Sequence, residues 1–142
     1  MLLAIDCGNT NIVFALYDGG IQRANWRIST DPKRSTDEYL VWLAQLMSLK
    51  SLAVDDVTDM IIASVVPEVQ PKLINLASRG FGIVPQVVGD SGIDLGIDIH
   101  IDRPDQAGAD RLVNAVAARD FHDLPAIILD FGTATTFDLI GK

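Results

Sequence analysis

Ala4-Ile5-Asp6-Cys7-Gly8-Asn9-Thr10-Asn11 runs from an apolar strand straight into a polar turn, and its reading decides the fold. Leu2, Leu3, Ala4 and Ile5 form a short continuous apolar run, the pattern of a strand covered on both faces. Asp6 ends that run, and Gly8 supplies a backbone freedom that a side chain would deny. Asn9, Thr10 and Asn11 bring amide and hydroxyl donors beside backbone N–H groups that no ladder uses. Such a turn is a concavity suited to phosphate oxygens, and Asp6 is placed to hold a magnesium ion directly or through water. Taken alone, the same residues fit an ordinary hairpin turn equally well.

The balance shifts because the pattern recurs. Ala126-Ile127-Ile128 leads into Leu129-Asp130-Phe131-Gly132-Thr133-Ala134-Thr135-Thr136, and Phe137-Asp138-Leu139-Ile140 returns as a second strand. Asp6 and Asp130, Gly8 and Gly132, and Asn9 and Thr133 superpose without a gap at an offset of 124 residues. Two strand–D-x-G–strand hairpins one domain apart indicate a duplicated architecture with a phosphate loop in each half.

Bulk composition narrows the function classes. The chain has 142 residues, the size of one ordinary domain, with apolar content enough for a core. Its 11 basic against 19 acidic residues and the absence of a basic cluster argue against a nucleic-acid surface. An acidic protein that handles anionic substrates must offset repulsion locally, with backbone amides, metal ions and a few placed arginines. The single cysteine, Cys7, forms no internal disulfide and fits a reducing compartment; its expected role is a small buried residue in a tight loop. Asp6 interrupts the first apolar run, so neither a signal peptide nor a membrane helix is expected, and the expected location is cytoplasmic.

Beyond the first loop, residues 12–17 and 21–28 read as strands joined by the turn Asp18-Gly19-Gly20. Ser35 or Thr36 caps a helix carrying Asp37 and Glu38 in its first turn, with Tyr39, Leu40, Leu43, Leu46 and Met47 along one face and Trp42 beside them. Asp55-Asp56 caps or turns the next connection. Residues 60–66 read as a fully buried strand, and Pro67 opens a helix at its first position with Val69, Leu73, Leu76 and Ala77 inward. Residues 83–88 read as a strand loosened by Pro85, residues 89–96 as turns, and residues 95–101 as a further strand or an extended arm. Three meandering strands, helix, strand, helix, strand is the order of the ribonuclease-H-like half-domain shared by actin, sugar kinases and Hsp70-type ATPases.

Pro104 is expected to begin a helix reaching Arg119, with Ala109, Leu112, Val113 and Val116 inward and Asp110, Arg111 and Asn114 on another face. Gly108 inside a helix costs about 1 kcal/mol, which implies close approach of a backbone, a ligand or another helix. Asp110 and Arg111 on such a face also fit plain solvent-exposed partners. His100 and His122 stand apart from any metal-ligand spacing.

Together, Asp6-Cys7-Gly8-Asn9-Thr10, Ser64-Val65-Val66-Pro67, Gly108-Ala109-Asp110-Arg111 and Asp130-Phe131-Gly132-Thr133-Ala134-Thr135-Thr136 resemble, in order and approximate spacing, the type III pantothenate kinases, the Bvg accessory factor-like family. That resemblance implies ATP-dependent phosphorylation of pantothenate to 4′-phosphopantothenate, the first step of coenzyme A synthesis. It assigns Asp6, Cys7, Gly8, Asn9, Thr10, Asn11, Ile12, Val13, Gly132 and Thr133 to ATP, with magnesium near Asp6. Gly108, Ala109, Asp110 and Arg111 would contact pantothenate. Asp110 would be the general base and Asp130 the ligand of a monovalent cation, potassium or ammonium. A homodimer is the implied assembly, with neither nucleic acid nor membrane as a partner.

The residues agree with those roles. A primary alcohol attacking the γ-phosphorus loses a proton that a placed carboxylate can accept. Arg111 can pair with an anionic substrate group or a phosphoryl oxygen. Two departures stand out. Many relatives carry tyrosine just before the D-x-P step, where this chain has Ile101. Relatives also continue for roughly another domain, so residues 1–120 are expected to be a first ribonuclease-H-like domain and residues 121–142 the opening of a second, with no activity from this length alone. The competing readings are another phosphotransferase or phosphohydrolase of the superfamily, and a non-catalytic regulatory protein on the same fold.

Overall fold

The computed structural model describes residues 1–132 and 135–142, the side chain of Asp105 excepted. Strands β1 (Leu2–Cys7), β2 (Asn11–Asp18) and β3 (Ile21–Ser29) form an antiparallel meander, followed by helix α1 (Thr36–Ser48) and strand β4 (Asp59–Ser64). Helix α2 (Gln70–Asn75), strand β5 (Gln86–Val87), helix α3 (Ala109–Phe121) and the hairpin β6 (Ala126–Phe131) and β7 (Thr135–Ile140) complete the order. One five-stranded sheet runs β3-β2-β1-β4-β5, with β4 parallel to both β1 and β5. This is the expected mixed α/β architecture, a ribonuclease-H-like sheet flanked by helices, with a separate two-stranded sheet of β6 and β7.

Period-two alternation builds the main core. Leu3, Ile5 and Cys7 from β1 lie on one face with Ile12, Phe14 and Leu16 from β2 and Met60 and Ile62 from β4, all buried. Tyr39, Leu43 and Met47 of α1 and Val69, Leu73, Leu76 and Ala77 around α2 cover that face. Phe14 packs its ring 5.4 Å from Trp42 and 6.4 Å from Tyr39, tilted in both pairs. Such aromatic pairs add about 0.5–1.5 kcal/mol each to the area they bury. Trp42 is half-buried and packs against this core. The turn between β2 and β3 is a two-residue loop with Gly19 at φ 55° and Gly20 at φ 85°, backbone that favours glycine at both places. Ser35 caps α1 in a reciprocal box: Glu38 N donates to Ser35 Oγ at 3.2 Å and Ser35 N donates to Glu38 Oε2 at 2.7 Å.

Several expectations are corrected. β1 is covered on one face only, since Leu2 is exposed and Ala4 half-buried. Pro67 sits in a turn closed by Val69 and Gln70 donating to the Val66 carbonyl, and α2 begins at Gln70 with Pro71 in its first turn. β5 is two residues long, because Pro85 offers no N–H to a ladder. Residues 95–101 form no strand. They run as an arm beside α3, pinned where Arg119 Nη1 donates to the carbonyls of Leu95 at 3.2 Å and Gly96 at 2.7 Å. Pro104 opens a short 3-10 turn (Pro104–Gln106) rather than α3, and Gly108 is the N-cap of α3 with extended backbone.

The second face of the sheet is covered only in part. Ala63 and Val88 pack there against Ala109 and Leu112 of α3, with Ile61, Leu95, Ile97 and Ile99 around them. Val113 joins this cluster, Val116 is half-buried, and Ala118 is a buried position that periodicity did not single out. The two D-x-G hairpins also differ in register. Asp6 pairs with Val13 in the first, but Asp130 pairs with Thr136 in the second, one position short of the 124-residue offset. Ile128, Asp130, Thr136, Asp138 and Ile140 are half-buried on the inner face of β6 and β7, while the outer face leaves Ile127 64% and Phe137 66% exposed.

Candidate active site

β1 and β4 are parallel neighbours, and the chain leaves one toward β2 and the other toward β5. Their carboxyl ends therefore border the crevice in which open α/β sheets place ligands. Asp6 stands at that end on the partly covered face. The ladders set Arg27, Val13, Asp6 and Ala63 in one row across β3, β2, β1 and β4. Ala63 shares a cluster with Ala109, so the first turn of α3 stands over the end of the row.

The first loop is held from two directions. Gly8 N donates to Asn11 O at 3.0 Å, closing the turn. Thr30, just past β3, donates Oγ1 to Gly8 O at 2.6 Å and N to Thr10 O at 2.9 Å. The sequence places Thr30 in a polar loop after the third strand but does not mark it as a partner of the first loop; only its place opposite Thr10 in the meander register could have done so. Gly8 is not in the left-handed region, against expectation, and its N–H is committed within the turn. A Cβ there would meet Asn11 O at 3.4 Å, an ordinary contact, so what glycine leaves at this position is open surface. Asn9 and Thr10 are exposed, and Asn11 and Val13 are half-buried. Cys7 and Ile12 turn their side chains into the main core, so only their main-chain groups border the crevice. Burial pushes the Cys7 thiol up, a hydrogen bond with Ser64 works in the opposite direction, and the Asp6 charge adds a smaller upward push.

Ser64-Val65-Val66-Pro67 and Gly108-Ala109-Asp110-Arg111 meet at this end. Val65 N donates to Cys7 O at 3.0 Å, extending the β1–β4 pairing, and Ser64 Oγ accepts from Val66 N at 3.2 Å. The close approach at Gly108 comes from two side chains rather than from a backbone, a ligand or another helix. A Cβ on Gly108 would lie 2.5 Å from Asp110 Oδ1 and 3.5 Å from Val65 Cγ1. Asp110 Oδ1 accepts from Arg111 N at 2.8 Å at the first turn of α3, where the helix dipole favours a negative charge.

Two other carboxylates lie within electrostatic reach of Asp6. Asp6 is raised above the usual aspartate value, first by desolvation, then by the negative charges of Asp110 and Asp130, with Arg27 working against them. Asp130 therefore acts on Asp6 from β6, and Gly132 follows it at the exposed bend. Thr133, the other residue of this loop expected at ATP, lies outside the described residues, as does Ala134. Arg111 does not stand alone: its Nε donates to Asp138 Oδ1 at 2.7 Å and its Nη2 donates to the same oxygen. That contact, set against partial burial, holds the guanidinium more firmly protonated, with Asp110 adding to it. Asp138 was missed as a site residue; its signal was a carboxylate between Phe137 and Leu139 in a run that is otherwise apolar from Phe137 to Ile140.

Among the described residues no group of three or more His, Cys, Asp or Glu side chains is arranged to hold a metal ion. The hard oxygen donors of Asp6 nonetheless fit magnesium, which takes one or two carboxylates and fills the rest of its shell with water and phosphate. The negative charge that Asp110 and Asp130 direct at Asp6 is what a cation would relieve. A cavity of about 350 Å³ opens between the arm, α3 and β7, with Ile99, Ile101, Arg111 and Asp138 in its wall; Asp110 does not line it. Ile101 therefore offers this wall an aliphatic side chain. No helix among the described residues is long and apolar enough to cross a membrane.

The family model described as Type III pantothenate kinase matches residues 2–142. Curated proteins described as type III pantothenate kinase include one from Paramagnetospirillum magneticum, 56% identical over 99% of this chain and 54% of its own length. Those from Rhodospirillum rubrum and Rhodospirillum centenum are 55% and 50% identical over 100% and 99% of this chain, and 55% and 54% of their own lengths. The chain thus spans about half the length of the curated relatives it matches. Among solved structures, the ethanolamine utilization protein EutJ from Carboxydothermus hydrogenoformans aligns at a TM-score of 0.48 and 16% identity, over 99% of this chain and 52% of that one.

Proposed function

Since this chain belongs to the type III pantothenate kinase family, we propose that it supplies the acceptor-activating helix and the phosphate loops of an enzyme that phosphorylates pantothenate with ATP. The observation that carries the reading is the packing of Gly108 and Ala109 against Val65 and Ala63, which sets the first turn of α3, with Asp110, beside the carboxyl end of β1. In the reaction the primary hydroxyl oxygen of pantothenate attacks the γ-phosphorus, its proton passes to Asp110, and the bond to the β-phosphate oxygen breaks to release ADP. Asp110 Oδ1 is engaged by the Arg111 amide, which leaves Oδ2 as the oxygen that takes the proton. Main-chain groups and side chains of residues 8–11 border the phosphates, aided by the Thr30 clamp. Asp6 is the residue that would hold magnesium against the triphosphate, and Asp130 the one assigned to potassium or ammonium. Magnesium held there would supply positive charge where the phosphoryl oxygens gather. We further propose that β6 and β7 open a second ribonuclease-H-like domain beginning near residue 121, that the enzyme works in the cytoplasm, and that it works as a homodimer, as the family resemblance implies. The test is Asp110→Asn in the full-length protein: turnover is expected to fall by about a hundredfold or more with ATP binding nearly unchanged. Near-normal turnover would reject the assignment.

A further inference from the structure

Asp138 lies in β7 opposite Ile128, on the half-buried inner face of the hairpin, with its side chain 12% exposed. A carboxylate in that setting is costly unless an opposite charge and hydrogen bonds accompany it. Arg111 supplies both, through Nε and Nη2 to one carboxylate oxygen. Two donors of one rigid fork on one acceptor fix the plane of the guanidinium as well as its position. The third nitrogen, Nη1, donates no hydrogen bond to any described residue, and the Arg111 side chain is 37% exposed on the wall of the cavity beside α3. Arg119, the other arginine on that wall, is already committed to the arm carbonyls and to Asp120.

We propose that Asp138 is a positioning residue: it anchors the inner edge of the Arg111 guanidinium so that the outer edge meets an anionic group of the acceptor substrate entering beside α3. The inference rests on the pantothenate kinase reading and deepens it, since pantothenate carries a carboxylate. The residues involved explain why an aspartate serves here. Without the charge on β7, the arginine side chain regains several rotamers, and ordering it again upon binding weakens the acceptor complex. Asp138 also shares the inner face of the hairpin with Asp130, so the same pair ties the strand bearing the second loop to the helix bearing Asp110.

The experiment is steady-state kinetics on the full-length enzyme with Asp138→Ala and Asp138→Glu, both substrates varied, alongside melting temperatures. Asp138→Ala is expected to raise KM for pantothenate about ten- to a hundredfold, with a smaller change in kcat and in KM for ATP. Asp138→Glu, which keeps the charge on a longer stem, is expected to recover part of that loss. An unchanged pantothenate KM, or equal losses for both substrates tracking a lowered melting temperature, would show a merely structural pair and overturn the proposal. A parent enzyme that fails to phosphorylate pantothenate would defeat the functional reading itself, and the positioning role with it; that control separates the two failures.

Discussion

Gly108 and Asp110 form a pair in which the side chain one residue lacks sets the position of the other. Gly108 has φ −61° and ψ 146°, values open to alanine, so its identity is dictated by space rather than by backbone strain. Gly108→Ala is expected to push the Asp110 carboxylate aside, cutting turnover by about tenfold or more while the fold melts close to the parent temperature. Melting far below the parent would show that the glycine serves the fold instead. Asp6 offers a test by pH. Its folded value lies above the unfolded 3.8, so ionised Asp6 costs stability at neutral pH, and that cost disappears as pH falls below 3.8. Asp6→Asn should therefore raise the melting temperature of the ligand-free protein at pH 7, with the gain shrinking as the buffer is taken through the raised Asp6 value toward 3.8. A variant less stable than the parent at pH 7 would count against the crowding of like charges. At this scale the acids were legible, since Asp6, Asp110 and Asp130 each sit at the end of a recognisable pattern. Thr30 and Asp138 were not, because what matters about them is a partner 22 or 27 residues away.

Among elements, strands proved more legible than helix starts. The β1–β2–β3 meander follows from alternation and from Gly19-Gly20, which needs only local information. Pro67 and Pro104 were both expected at first helical positions, and both mark turns that precede the helix instead. The cause is the same in each case. Val65 is tied to Cys7 and Gly108 packs against Val65, so tertiary anchors place the turns and the helices begin where those anchors release the chain. The Thr30 clamp is an element-level device of the same kind, joining the end of β3 to the β1–β2 loop. Thr30→Val keeps the branched shape and the bond from Thr30 N to Thr10 O but deletes the bond to Gly8 O. Losing it is expected to weaken ATP binding about fivefold, the equivalent of about 1 kcal/mol. Nucleotide titration of the full-length variant checks this, and unaltered affinity would show that the loop needs no clamp.

For the whole molecule, the outer face of β6 and β7 is the feature with the largest physical effect. Ile127, Leu129, Phe131, Phe137 and Leu139 are exposed together on it, at up to 76%. A contiguous apolar strand face favours association. Residues 1–142 produced alone are expected to form concentration-dependent multimers, to bind an apolar dye and to lack pantothenate phosphorylation, with Phe137→Asp shifting them toward monomer. A monomeric parent that phosphorylates pantothenate would contradict this. The difference in register between the hairpins has a consequence of its own. In an antiparallel ladder the numbers of paired residues add to a constant, and its parity determines which side chains share a wall. That sum is 19 for Cys7 and Ile12, from which the 124-residue offset would give 267 in the second hairpin; Phe131 and Thr135 add to 266. The slip leaves Asp130 as the counterpart of Asp6 but turns Asp138, the counterpart of the core residue Phe14, to the Asp130 side of the ladder. The second hairpin therefore sets a carboxylate facing the helix where the first has an aromatic core residue, and a slip of one residue to the first hairpin's register would turn Phe137 to the Asp130 side and carry Asp138 away from Arg111.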